Sequence, residues 1–185
     1  MCFSRTSLEA HNKLRSAHNV PPLSWSNELA RGAQIWAKKL AKEGNLKHDQ
    51  LKGIGENIFM ASQGFDAAAE EAMKTWYSEV ERYDFKRGGH QGGTGHFTQV
   101  VWKNSKELGM ARAKSANGSV YVVARYRPAG NDLNAFNGNI LPKVSTAEKH
   151  QMQEKISSQE EDLVNMQDPS IPDDSFIDAV LKSTQ

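Results

Sequence analysis

Four ionisable residues stand out in this 185-residue chain as groups that could ligate a cation or move a proton: His48, Glu56, Glu79 and His96. Imidazole nitrogen and carboxylate oxygen both suit zinc. The same groups act as general acids and bases once they stand within hydrogen-bond reach of a reacting atom. Their spacing does not unite them. No His-Glu-x-x-His helix is present, and the single cysteine, Cys2, supplies no thiolate set, so a sequence-local zinc motif is absent. The glycine-rich run at 86–95 (KRGGHQGGTG) lacks a closing Lys-Ser/Thr and follows no strand, so it is not a phosphate loop. Ser62 and Ser78 have no local context that would mark them as nucleophiles. By spacing alone, each of the four is an ordinary hydrogen-bonded or solvated polar residue.

Whatever positions these groups must come from the surrounding elements. Residues 4–18 lack Gly and Pro and predict a helix, closed by Pro21-Pro22. Ser26 caps a second helix, in which Leu29, Ala33, Trp36, Ala37 and Leu40 share a face, and Gly44 ends it. Residues 45–65 read as loop with a short extended piece at Asn57–Met60. Asp66 is the expected cap of a third helix, with Ala69, Ala72, Met73, Trp76, Tyr77 and Val80 on one face. Leu108–Lys114 and Ser119–Arg127, separated by Asn117-Gly118, predict a hairpin. The second of these strands is apolar on both faces and is therefore expected to be central, covered on each side. Three helices and a small, mainly antiparallel sheet imply a three-layer α/β/α sandwich.

The formal net charge of +1 conceals an asymmetry. Residues 1–142 hold 19 Lys+Arg against 13 Asp+Glu, and residues 143–185 hold 4 against 9. A basic domain with an acidic tail suits an anionic partner. The lysines are scattered and no nucleic-acid motif is present, which argues against DNA or RNA. No intrachain disulfide can form. Residues 1–15 contain no apolar run of secretory-signal type, and an intracellular chain is expected. A fragment missing its leader would instead be extracellular. Cys2 stands where N-myristoylation requires glycine, and beside Phe3 it is a candidate for S-acylation.

Gly95–Trp102 (GHFTQVVW) closely resembles the first signature of the CAP superfamily, which holds cysteine-rich secretory proteins, antigen 5 and pathogenesis-related 1 proteins. Tyr121–Asn131 (YVVARYRPAGN) resembles the second signature, with Ala124 where secreted members usually carry Cys. Gly55–Ile58 (GENI) and His11-Asn12 resemble two further family motifs. The resemblance covers residues 3–142 and is strongest to an intracellular, disulfide-free branch of the family. Cys2 departs from that branch, which is expected to begin Met-Gly.

The resemblance implies that His48, Glu56, Glu79 and His96 form the family's cavity tetrad and line one cleft. Such a cleft is a candidate Zn2+ site or acid/base set. It further implies a lipid-contacting loop over Trp76–Gly89, in which Tyr83 and Phe85 supply partly exposed apolar surface flanked by Arg82, Lys86 and Arg87. The function expected is a non-catalytic module that docks on anionic membrane or binds sterol, peripheral on Golgi or other endomembrane. The alternatives are a metal-dependent hydrolase and a protein-interaction domain, the latter including a homodimer.

Residues 143–173 read as a polar linker with a transient helix near 146–164. Residues 174–185 read as a tail helix. Its Phe176–Ser183 (FIDAVLKS) echoes Phe3–Ala10 (FSRTSLEA), as the start of a truncated second copy of the domain would.

Overall fold

The computed structural model describes residues 2–145, together with Gln151 and Lys155. The compact unit runs to Lys143. Of the helix expected near 146–164 only Gln151 and Lys155 are described, both helical, and the tail at 174–185 lies outside the described residues.

The elements are α1 (Phe3–Ala17), β1 (Ser24–Trp25), α2 (Asn27–Glu43), β2 (Gly55–Ala61), α3 (Ala68–Ser78), a 3-10 turn (Glu79–Arg82), α4 (Gly95–Val100), β3 (Glu107–Lys114) and β4 (Val120–Arg127). The sheet order is β1-β3-β4-β2, antiparallel except where β1 meets β3. Residues 115–119 turn the β3–β4 hairpin as expected, with Gly118 at φ +92°. β4 is central. Val120, Val122, Ala124 and Tyr126 face a core shared with α3 and α4, whereas Tyr121 and Val123 face the buried side of α2. Both faces of the sheet are thus covered by helices, which is the expected α/β/α sandwich.

α2 lies close on the sheet because Gly109 faces it. A Cβ there would stand 2.1 Å from the backbone nitrogen of Ala30. Ser26 caps α2 through Leu29 N–H at 3.3 Å, and Gly44 closes it at φ +66°. α3 differs from expectation at its start. It begins at Ala68 behind Ala67, with no side-chain cap. Asp66 instead meets Arg112, which bonds the Phe65 and Asp66 carbonyls and lies 3.5 Å from the Asp66 carboxylate. The extended piece expected at Asn57–Met60 is longer, because β4 supplies pairing partners from Gly55 to Ala61.

α1 buries a polar stripe. Ser7, His11 and Arg15 recur every fourth residue, and all are buried. Arg15 has no carboxylate partner among the described residues. Its guanidinium donates instead to the carbonyls of Pro21, Val100, Trp102 and Ser105 at 2.7–3.1 Å. These oxygens include the C-terminal end of α4, where positive charge is favoured. Burial lowers the Arg15 pKa to about 10, still far above neutral.

Candidate functional site

Two pairs of side chains meet at one end of β2. Glu56 and Ile58 lie opposite Arg125 and Val123, and so on the α2 side of the sheet. Asn57 lies opposite Ala124, on the side of α3 and α4. His48, just past α2, receives Glu56: its Nδ1 stands 2.9 Å from Glu56 Oε1. On the other side, His96 Nδ1 stands 2.7 Å from Glu79 Oε1. Together with Asn57, Gly93, Gly95 and Asn131, the four residues line one cleft of about 260 Å³.

Each carboxylate is fixed by more than its histidine. Glu79 Oε2 accepts the backbone N–H groups of His96 at 2.9 Å and Phe97 at 3.0 Å. It thereby satisfies two free N–H groups in the first turn of α4, which GHFTQV builds. Glu56 Oε1 also accepts Asp49 N–H at 3.0 Å, while its Oε2 is buried 3.4 Å from Arg125 Nε. Arg125 is itself buried and donates to Asp49 Oδ2 at 2.6 Å. The space it fills is open because position 32 is glycine; a Cβ there would meet its Nη1 at 2.6 Å.

Behind the cleft runs a buried chain of hydrogen bonds. His11 Nδ1 donates to the Ser7 carbonyl at 2.7 Å, so its Nε2 accepts from Tyr126 OH at 2.8 Å. Tyr126 oxygen accepts from Asn57 Nδ2 at 3.3 Å, and the same amide donates to the His96 carbonyl at 3.0 Å. Burial lowers the His11 pKa to about 4 and raises that of Tyr126. On the cleft rim, Asn131 donates to the Gly95 carbonyl at 2.8 Å and accepts from Thr98.

The donor set bears on metal binding. In both imidazoles Nδ1 is held by a carboxylate, and Nε2 has no hydrogen-bond partner among the described residues. This is the arrangement in which a carboxylate fixes the tautomer that leaves Nε2 free to ligate. Among the described residues, no three His, Cys, Asp or Glu side chains are grouped to hold a metal. The cleft thus presents two imidazoles whose Nδ1 atoms are engaged by carboxylates, without a third ligand grouped beside them among the described residues. No hydroxyl or thiol of the described residues is hydrogen-bonded to either imidazole. Ser78 Oγ, next to Glu79, donates to Thr75 O at 2.7 Å.

The loop expected to contact lipid is built differently from expectation. Tyr83 is 6% exposed and donates to the Gly89 carbonyl at 3.0 Å. Phe85 is half-buried and packs against His18, Tyr83 and Phe97 with centroids 5.0–6.1 Å apart. The expectation of partly exposed apolar surface is corrected for Tyr83 by this burial, whereas Phe85 does remain partly exposed. They complete the core over α4. Of the flanking cations, Lys86 and Arg87 are exposed, and Arg82 is exposed while donating to the Gly93 carbonyl at 2.9 Å. Cys2 is exposed.

The tetrad residues were identified through family motifs; Arg125 and Asp49 were not. One signal for Arg125 was available in the sequence: it is the charge inside the apolar run VYVVARY, in a strand apolar on both faces, and it therefore requires a buried partner.

The sandwich and its signatures define a CAP protein: the chain belongs to the CAP, cysteine-rich secretory protein, family, matched over residues 8–126. It is 44% identical over 145 residues to Golgi-associated plant pathogenesis-related protein 1 of Homo sapiens, covering 76% of this chain and 93% of that protein. It is 40% identical over 126 residues to pathogenesis-related protein 1B of Nicotiana tabacum, covering 67% and 74%. Among solved structures it is similar to NaASP2 with Zn2+ (TM-score 0.64, 30% identity, 79% of this chain and 88% of that one). It shares the fold of Schistosoma mansoni venom allergen-like protein 4 (TM-score 0.59, 23% identity, 81% and 99%). Among the described residues, no helix is long and apolar enough to cross a membrane.

Proposed function

We propose that this CAP domain is a docking module for anionic lipid membrane, peripheral on Golgi or other endomembrane. The observation that carries this reading is the excess of basic over acidic residues in 1–142, 19 against 13. Exposed cations such as Lys86 and Arg87 contribute to it. Attraction of this kind needs no apolar insertion, since each Lys or Arg near an anionic surface contributes about 1 kcal/mol. The Golgi-associated name of the human relative supports the compartment. Flotation of the full chain with vesicles of phosphatidylcholine alone and of phosphatidylcholine with phosphatidylinositol tests the reading. Selective flotation with the anionic vesicles is expected. Absence from both overturns it, and binding that depends on added sterol and not on charge would replace it with a sterol-binding module.

A second reading concerns the cleft. Zn2+ would be held by His48 and His96 through Nε2, with Glu56 and Glu79 fixing the rings. A bound ion would supply Lewis acidity there. The two free Nε2 atoms favour this, as does the Zn2+ named with NaASP2. Calorimetric titration with Zn2+ is expected to show one site that His96→Ala removes. Equal heats from the variant overturn it.

A further inference from the structure

We propose that the solvent face of α2 is the surface that lies against the anionic bilayer, an inference that rests on the membrane-docking reading above. Leu29, Ala33, Trp36, Ala37, Leu40 and Ala41 bury one side of this helix against the sheet. On the opposite side stand Arg31, Ile35, Lys38 and Lys42. At ~100° per residue they fall within an arc of about 60°. All four are exposed, and Ile35 retains 71% of its surface, equal to the highest among the large apolar side chains. An apolar residue ringed by cations is what a surface helix presents to lipid headgroups.

The acidic residues of α2 form their ion pairs outside this stripe, although the Glu43 charge also acts on Lys39 and Lys42. Glu28 accepts from both terminal nitrogens of Arg127 at 3.2 Å. Glu43 lies 2.7 Å from Lys47 Nζ. Arg31, Lys38 and Lys42, and the flanking Lys39, have no carboxylate within ion-pair distance among the described residues. Lys39 instead lies over the Trp36 ring, 4.6 Å from its centroid. Four cations with no ion-pair partner among the described residues surround one exposed isoleucine on this helix. Charge complementarity selects an anionic surface as the occupant.

The test uses the full chain in flotation with phosphatidylcholine vesicles, with and without phosphatidylserine. Lys38→Glu/Lys42→Glu is compared with Lys86→Glu/Arg87→Glu, which reverses the other basic surface. All four side chains are exposed, and unchanged thermal midpoints verify that each variant is folded. The α2 variant is expected to lose at least about tenfold in binding to the phosphatidylserine vesicles, with the loop variant losing less. Ile35→Ser is expected to weaken what remains. Wild-type binding by the α2 variant, or a larger loss in the loop variant, overturns this assignment while leaving membrane docking intact. Failure of the wild type to bind overturns both. If the α2 variant loses heparin affinity and keeps vesicle binding, the face serves a soluble polyanion and the assignment is wrong.

Discussion

Glu79 holds His96 at two points, accepting its ring Nδ1–H at 2.7 Å and its backbone N–H at 2.9 Å. One carboxylate therefore orients the imidazole and starts the helix that carries it. Glu56 holds His48 through its ring alone, and that side chain is 57% exposed; the backbone N–H that Glu56 accepts is that of Asp49. The two halves of the tetrad differ in what they do for the fold.

Glu79→Ala is therefore expected to destabilise the domain by about 2 kcal/mol, since it leaves two N–H groups of α4 unpaired. His48→Ala is expected to cost less than about 1 kcal/mol. Urea unfolding of both variants measures the difference. Equal costs would show that the α4 contacts are not what Glu79 contributes.

Arg125 is the buried support of the other half. Arg125→Met removes the cation between Asp49 and Glu56 and is expected to cost about 3 kcal/mol, the usual result of leaving a buried carboxylate unpaired. The double variant Arg125→Met/Glu56→Gln is expected to recover part of that loss. A denaturant double-mutant cycle reads the coupling.

The histidines give stability a pH dependence of known sign. His11 has its pKa lowered by burial from 6.5 to about 4, so the unfolded chain takes up the proton first. Stability is full above pH 6.5 and falls as pH drops toward 4, by roughly 3 kcal/mol from this residue. His18, also lowered chiefly by burial, acts in the same direction. His48 acts oppositely. Its pKa is raised by the Glu56 hydrogen bond, so that contribution is present below 6.5 and lost as pH rises through the folded value. Urea unfolding from pH 7.5 to 4.5 is expected to show net loss in acid. His11→Gln is expected to flatten the slope while lowering stability at pH 7.

Tyr83→Ala is expected to destabilise by about 3 kcal/mol, because it empties a packed site against Phe85 and Phe97. Its thermal midpoint should fall whether or not lipid is present. A variant with native stability and lost vesicle binding would restore the aromatic loop as the contact surface.

Local pattern made α2, the β3–β4 hairpin and the central place of β4 legible, because apolar periodicity directly reports a face buried against one neighbour. α1 was legible as a helix but not in its burial. Its inward stripe is Ser7, His11 and Arg15, whose cost is offset by carbonyls and a phenol from elsewhere in the chain. The tetrad could be named only by motif, because the pairs that make it span 8 and 17 residues across two sides of a sheet. The loop at 82–87 misled for a related reason. An aromatic beside cations reads alike whether its ring points outward or, as with Tyr83, completes a core.

The central claim is that charge brings this domain to a membrane, and a salt titration of vesicle binding tests it most directly. Binding of the full chain to vesicles containing phosphatidylinositol should weaken steeply as ionic strength rises and the Debye length contracts from ~8 Å at physiological salt to ~3 Å at molar salt. Binding that persists unchanged at molar salt would contradict the account.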